Sequence, residues 1–187
     1  MASSYSTDLK LELMVTGENA GTWGDITNTN LNLLQQAVGG YQEVSIAGGA
    51  QTTTLLMSNA AISNARNAVI KLTGAITGNQ IVTIPDGIEK TYIIANGTTG
   101  AFTVQFKTVS GTGVTFSTTN KGAILVYADG TNVVNVNALL KTISLFTLPA
   151  TDGTNGQAMI TDGSGTLSFG TAGITTGKAI AMAIVFG

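Results

Sequence analysis

Between residues 41 and 136 the apolar positions come in short runs of β-branched and aromatic residues, broken by clusters of Gly, Asn, Asp and Thr. That is the pattern of half-buried strands, not of helices. It predicts strands over 41–46, 52–57, 68–73, 80–84, 90–95, 102–107, 114–116, 122–128 and 133–136. The breaks have their own chemistry. Pro85-Asp86-Gly87 fixes φ at its first corner and frees it at the last, while Asn96-Gly97 and Asp129-Gly130 supply the left-handed residues that tight hairpins need. Short, evenly spaced strands with such turns predict a mainly β chain with an antiparallel β-sandwich or barrel body.

Ahead of this body, Leu9, Leu11 and Leu13 alternate with Lys10 and Glu12, which reads as a strand or extended arm ending at Gly17 and Gly21. Thr22-Trp23-Gly24-Asp25 then carries a helix start signal, a hydroxyl able to accept a backbone N–H and a carboxylate at the positive end of the helix dipole. Ile26, Leu31, Leu34 and Val38 follow at near-helical spacing, widened by Leu33 and Ala37, and predict one helix over 23–38. Gly39-Gly40 offers a residue free to take positive φ at its C-terminal cap. Trp23, the sole tryptophan, at the start of the helix reads as a packing or docking residue.

Beyond the body, the run from Leu139 to Leu148 fits either a short helix or a connecting strand and forms a joint. Pro149 opens a section in which Thr151-Asp152-Gly153-Thr154-Asn155-Gly156 and Thr161-Asp162-Gly163-Ser164-Gly165-Thr166 are two similar turn units. Units this small gain stability only by stacking or by intertwining with other chains. At the end Ala179, Ala181 and Ala183 alternate with Ile180, Met182, Ile184 and Phe186. Both faces of such a strand are apolar and call for cover, which predicts a C-terminal β clasp between subunits. The organisation is thus an arm and docking helix over 1–40, a β body over 41–138, and a joint, turn repeat and terminal strand over 139–187.

Composition sharpens the picture. Only 10% of the 187 residues are charged, well below the share in an average soluble domain. A neutral, hydrogen-bonding surface lowers the desolvation cost of bringing two copies together. A net charge of −2 with no basic run gives no footprint for nucleic acid. The longest apolar run, 179–186, is far below the roughly 20 residues of a membrane-spanning helix, so no membrane insertion is expected. The first residues lack the cationic and apolar segments of a secretory signal, which fits synthesis in the cytoplasm. With neither histidine nor cysteine, the usual general base, the nucleophile–His triads and thiolate metal sites are absent, and no cofactor is expected. Carboxylate pairs such as Asp86 with Glu89, or Asp152 with Asp162, could in principle cleave a glycosidic bond. The Asp-Gly context of Asp86, Asp152 and Asp162 is that of a turn residue bonding local N–H groups. The Asp-Gly units lack the alternating oxygen ligands of a calcium loop, and Gly111-Thr112-Gly113 lacks the third glycine of a dinucleotide loop. Asn96-Gly97-Thr98 matches a glycosylation sequon but reads more simply as a hairpin turn.

Three segments carry a resemblance. Gly17-Glu18-Asn19-Ala20-Gly21-Thr22-Trp23-Gly24, followed by Thr27-Asn28-Thr29-Asn30-Leu31-Asn32-Leu33-Leu34, resembles the N-terminal region of tail-fibre-like structural proteins of marine bacteriophages, particularly those infecting cyanobacteria and Pelagibacter. Tyr127-Ala128-Asp129-Gly130-Thr131-Asn132-Val133-Val134 is similar to the strand–turn–strand that closes their β domain. The segment from Leu148 to Phe169 is similar to the turn repeat near the ends of many fibre proteins. The resemblance implies a non-enzymatic virion component, often a homotrimer, docked to other tail or capsid proteins. The chain is shorter than a long receptor-binding fibre, which leaves a capsid decoration or cement subunit as an alternative. A module binding host-surface glycans, with Trp23, Tyr5 or Tyr41 stacking on sugar, is the reading from a different class, and a polysaccharide depolymerase is the third. The residues expected to form interfaces are Trp23, Leu31, Leu34 and Val38 on the helix, and Ile180, Met182, Ile184 and Phe186 at the C-terminus.

Overall fold

The computed structural model describes residues 3–119, 121–136, 142–143, 146–171 and 184–185. The chain divides into two compact units, Met1–Asn137 and Ala138–Gly187. In the first, β1 (Ser4–Tyr5) and β2 (Glu12–Leu13) pair antiparallel. The arm is therefore folded back on itself, not extended. The amide of Ser6 donates to the carbonyl of Leu11 at 2.9 Å, and Lys10 takes the reversing conformation with φ of 53°.

Helix α1 (Trp23–Gly39) lies where the apolar spacing places it, but both caps differ from expectation. The Thr22 hydroxyl caps no amide and instead donates to the carbonyl of Asn19 at 3.3 Å. Asp25 in the first turn is left to complement the helix dipole. At the other end Gly40 is extended, with φ of −71°. Its glycine is needed for space: a Cβ there would lie 2.3 Å from the carbonyl oxygen of Gln36 and 2.5 Å from Oδ1 of Asn67.

The chain then runs through β3 (Tyr41–Ser45), β4 (Gln51–Thr54), a 3-10 turn at Asn64–Arg66, β5 (Val69–Ala75), β6 (Gln80–Ile84), β7 (Glu89–Thr99), β8 (Val104–Thr108), β9 (Gly113–Phe116), β10 (Ala123–Asp129) and β11 (Val133–Asn135). The body is mainly β and sandwich-like, two sheets sharing one core, with no closed barrel among the described residues. The strand direction departs from the antiparallel expectation. β3, β5 and β7 lie side by side in parallel in one sheet, and β4, β6 and β8 do the same in the other. Each successive pair of strands makes one coil, passing from the first sheet to the second and returning. Only the last strands reverse: β9 runs antiparallel to β8, β10 to β7, and β11 folds back on β10 through the expected Asp129-Gly130 turn.

The reason lies in the corners. Residues 46–50 and 76–79 carry the chain between sheets instead of reversing it within one, and they stack coil on coil through Gly48 N to Ala75 O at 3.0 Å and Ile76 N to Thr99 O at 2.9 Å. At Gly78 a Cβ would come within 2.3 Å of the Ala50 nitrogen, so these corners close only around glycine. Asn96-Gly97, expected as a turn, lies inside β7. There Asn96 accepts from the hydroxyl of Thr98 at 2.7 Å, and Gly97 admits the Lys71 side chain of the neighbouring strand.

Alternation decides the core. Ile70, Leu72, Val82, Ile84, Tyr92, Ile94, Val104 and Phe106 point between the sheets and have no accessible surface. Each such side chain contributes roughly 1.5–3 kcal/mol relative to exposure. The Tyr92 and Phe106 rings meet edge to face across the two sheets, with centroids 5.8 Å apart.

Two buried cations are held by neutral oxygens. Arg66 is fully buried and donates to the carbonyls of Leu9 at 3.0 Å, Ser58 at 2.6 Å and Ala61, to the Ser63 hydroxyl and to the Gln36 amide oxygen. One guanidinium thereby joins the arm, the helix and the long return loop between β4 and β5. Lys90 donates to the carbonyls of Asn67 and Thr91 and lies 4.2 Å from the centroid of the Tyr92 ring. Burial lowers its pKa to about 8.

The second unit is made of hairpins. β12 (Thr142–Ile143) pairs with β13 (Phe146–Thr147), which makes the described part of the joint a hairpin, and β14 (Gln157–Thr161) pairs antiparallel with β15 (Leu167–Thr171). Of the expected terminal strand, Ile180, Met182 and Phe186 lie outside the described residues. Ile184 and Val185 have helical backbone, not extended, and are exposed.

Candidate assembly surface

α1 is held to the first unit chiefly by amides. Asn30 takes the Glu12 amide on its Oδ1 at 3.0 Å and gives its own Nδ2 to the Glu12 carbonyl at 2.9 Å. Gln36 accepts from the amide of Ser63 and from Arg66, both at 3.4 Å. Leu33, 1% exposed, is the one helix residue fully inside. With the inner face so occupied, helical geometry turns residues 23, 31, 34 and 38 outward. Trp23 is 65% exposed, Leu31 58%, Leu34 42% and Val38 76%. The structure thus brings the four expected helix residues together on one open stripe and gives them no part in the core.

The stripe leads into β3. Tyr41 is exposed, and the register aligns it with Val69, Ile93 and Leu125 in a row across the outer face of the five-stranded sheet. The neighbouring row aligns Tyr127 with Val134, both exposed. One ion pair interrupts this face, Lys71 Nζ to Glu43 Oε1 at 2.9 Å, and the Tyr41 hydroxyl donates to the same oxygen at 2.6 Å. Those two donors hold the Glu43 carboxyl below its ordinary range.

β3 also ends its sheet. Beside it lies a groove of about 540 Å³ bounded by residues 42–45 and by Leu56, Ile62 and Asn64 of the return loop. A second cleft, about 420 Å³, opens between β9 and β10 over Val114, Phe116 and Ile124, with no charged side chain in its lining.

Of the carboxylates considered for chemistry, Glu89 opens β7 and the three aspartates are engaged in turns. Asp86 accepts from the amide and hydroxyl of Ser110 at 3.1 and 2.9 Å, and Asp162 from the amides of Ser164 and Thr166 at 2.7 and 3.0 Å, so both pKa values are lowered. Asp152 accepts from the Gly153 amide at 2.8 Å. Among the described residues no group of three or more His, Cys, Asp or Glu side chains could hold a metal ion, and no helix is long and apolar enough to cross a membrane.

The buried cations Arg66 and Lys90 were not legible beforehand. Arg66 stands in the polar run Ser63-Asn64-Ala65-Arg66-Asn67, which reads as solvated loop, and only its contacts to the arm reveal it. Lys90 had a faint signal, since it shares the alternation of the buried Tyr92 and Ile94.

No family model matches this chain, and comparison with curated proteins and with solved structures finds nothing similar.

Proposed function

We propose that this chain is a non-catalytic structural subunit of a bacteriophage particle, a tail-fibre-like or adaptor component that works by assembling with copies of itself and docking to the virion. The observation that carries this reading is the open stripe of Trp23, Leu31, Leu34 and Val38 on a helix whose inward face is fastened by amides. Contiguous exposed apolar surface of this kind marks an interaction site. The resemblance of the N-terminal segment and the scarcity of charge support the same reading. Multivalency then supplies the holding power, because each weak contact in an oligomer raises the effective concentration of the others. A capsid decoration subunit would use the same stripe in the same way.

Light scattering on the purified full chain tests this. A defined oligomer is expected, and Leu31→Asp with Val38→Asp should disrupt assembly or docking to particles while leaving the thermal unfolding midpoint in place. A full chain that stays monomeric and does not bind phage particles would overturn the reading. The exposure of Trp23 and Tyr41 favours one other reading, a glycan-binding module. Reproducible glycan-array binding lost on Trp23→Ala would establish that instead.

A further inference from the structure

β3 ends its sheet, and among the described residues no strand pairs with its outer edge. Its other edge is fixed to β5: the carbonyl of Gly40 accepts from the Val69 amide, and the Ile46 amide donates to the Thr73 carbonyl, both at 2.9 Å. Every second residue of a parallel strand bonds the same neighbour. Residues 42 and 44 therefore face β5, and the amides and carbonyls of Tyr41, Glu43 and Ser45 face outward. One outward group has a side-chain cover, the Glu43 carbonyl, which accepts from the Gln42 amide at 2.7 Å and keeps its second lone pair. Proteins commonly blunt such an edge with lysine, proline or a bulge. β3 has none of these, and its single charge, Glu43, is neutralised by Lys71.

We propose that β3 pairs antiparallel with β3 of a second copy, joining two five-stranded sheets about a two-fold axis. The inference rests on the reading of the chain as a self-assembling subunit and names one of its contacts. Charge chooses the occupant and the register. Pairing centred on Glu43 would set two carboxylates face to face. Pairing centred on Gln42 sets Tyr41 opposite Glu43 of the second copy, and each such pair exchanges two backbone hydrogen bonds. That juxtaposition repeats between copies the match already made within one, where the Tyr41 hydroxyl donates to the Glu43 carboxylate at 2.6 Å. The groove of about 540 Å³ beside the edge gives the incoming strand room, and it is flanked by the exposed side chains of Leu56 and Ile62. In this register the apolar row from Tyr41 to Leu125 runs on into the row of Glu43, Lys71, Ala95 and Ala123 of the second copy.

Two measurements on the full chain test the pairing. In hydrogen exchange, the Tyr41 and Glu43 amides have no acceptor among the described residues of one copy, so protection that grows with protein concentration is expected. Fast exchange at both positions in the assembled protein overturns the proposal. By light scattering, Glu43→Pro, which removes an outward amide while sparing the ladder to β5, should halve the assembly mass, whereas Glu43→Gln, which keeps the amide, should not. A wild-type mass that survives Glu43→Pro unchanged overturns the pairing and leaves the self-assembling subunit intact. A wild-type chain that is monomeric at every concentration overturns the two together.

Discussion

The two units of this chain are both built from short strands and Asp-Gly or Asn-Gly turns, yet they are held in different ways. In the first, neighbouring strands come from successive coils, and the core residues they present are fully buried. In the second, the strands pair with their immediate successors, and no side chain among the described residues is fully buried. Turn chemistry holds the second unit: Asp162 gathers two amides of its own loop, and Thr154 donates its amide to the Gln157 side chain at 2.7 Å. An isolated two-stranded hairpin is marginal in water. Similar local grammar therefore yields a cooperative body where coils stack and locally held hairpins where they do not.

The sharpest way to break this comparison is to truncate one phenylalanine in each unit. Phe106→Ala opens a cavity under Tyr92 and should cost about 3–5 kcal/mol in urea unfolding. Phe169→Ala, which removes a ring covering Gly153 on a half-exposed hairpin, should cost about 1 kcal/mol or less and leave the main transition in place. Equal losses would show that the second unit has a core of its own.

A smaller effect comes from the buried lysine of the first unit. The folded pKa of Lys90 is about 8 against an ordinary 10.5, so below pH 8 the lysine is charged in both states and its burial penalty is fully present. From pH 8 to 10.5 the unfolded chain holds more protons, and stability rises with pH. Tyr92 acts in the opposite sense, because burial pushes its hydroxyl well above the ordinary 10 and the unfolded chain alone loses that proton. Stability should climb from pH 8 and turn down above about pH 10. Lys90→Met should remove the climb, and an unchanged profile in that variant would refute the assignment. The smallest effect is expected from Asp162→Ala: faster exchange of the Ser164 and Thr166 amides, with no shift in the unfolding midpoint of the first unit.

Much of this was legible beforehand. All nine strands expected between residues 41 and 136 exist, and the helix is where its spacing put it, because alternation and helical period are local properties of the chain. Strand direction was not, since alternation is the same whether a neighbour runs parallel or antiparallel. The corner at 46–50 looks like a hairpin turn until the coil above it is seen. The helix residues Trp23, Leu31, Leu34 and Val38 were legible as a stripe, but the spacing could not say which way the stripe faced. That was decided by the amide pairs of Asn30 and Gln36, whose partners lie far away in sequence.

The parallel stacking of coils also bears on how the protein is made. A hairpin strand can pair as soon as its turn has left the ribosome, but β3 has no partner until the chain has been extended through β5. During that interval an unpaired strand with an open edge stands on the nascent chain, and non-local pairings of this kind form slowly. Completion of β5 is therefore the step that ends the wait of β3, and translation speed across the return loop sets how long that wait lasts.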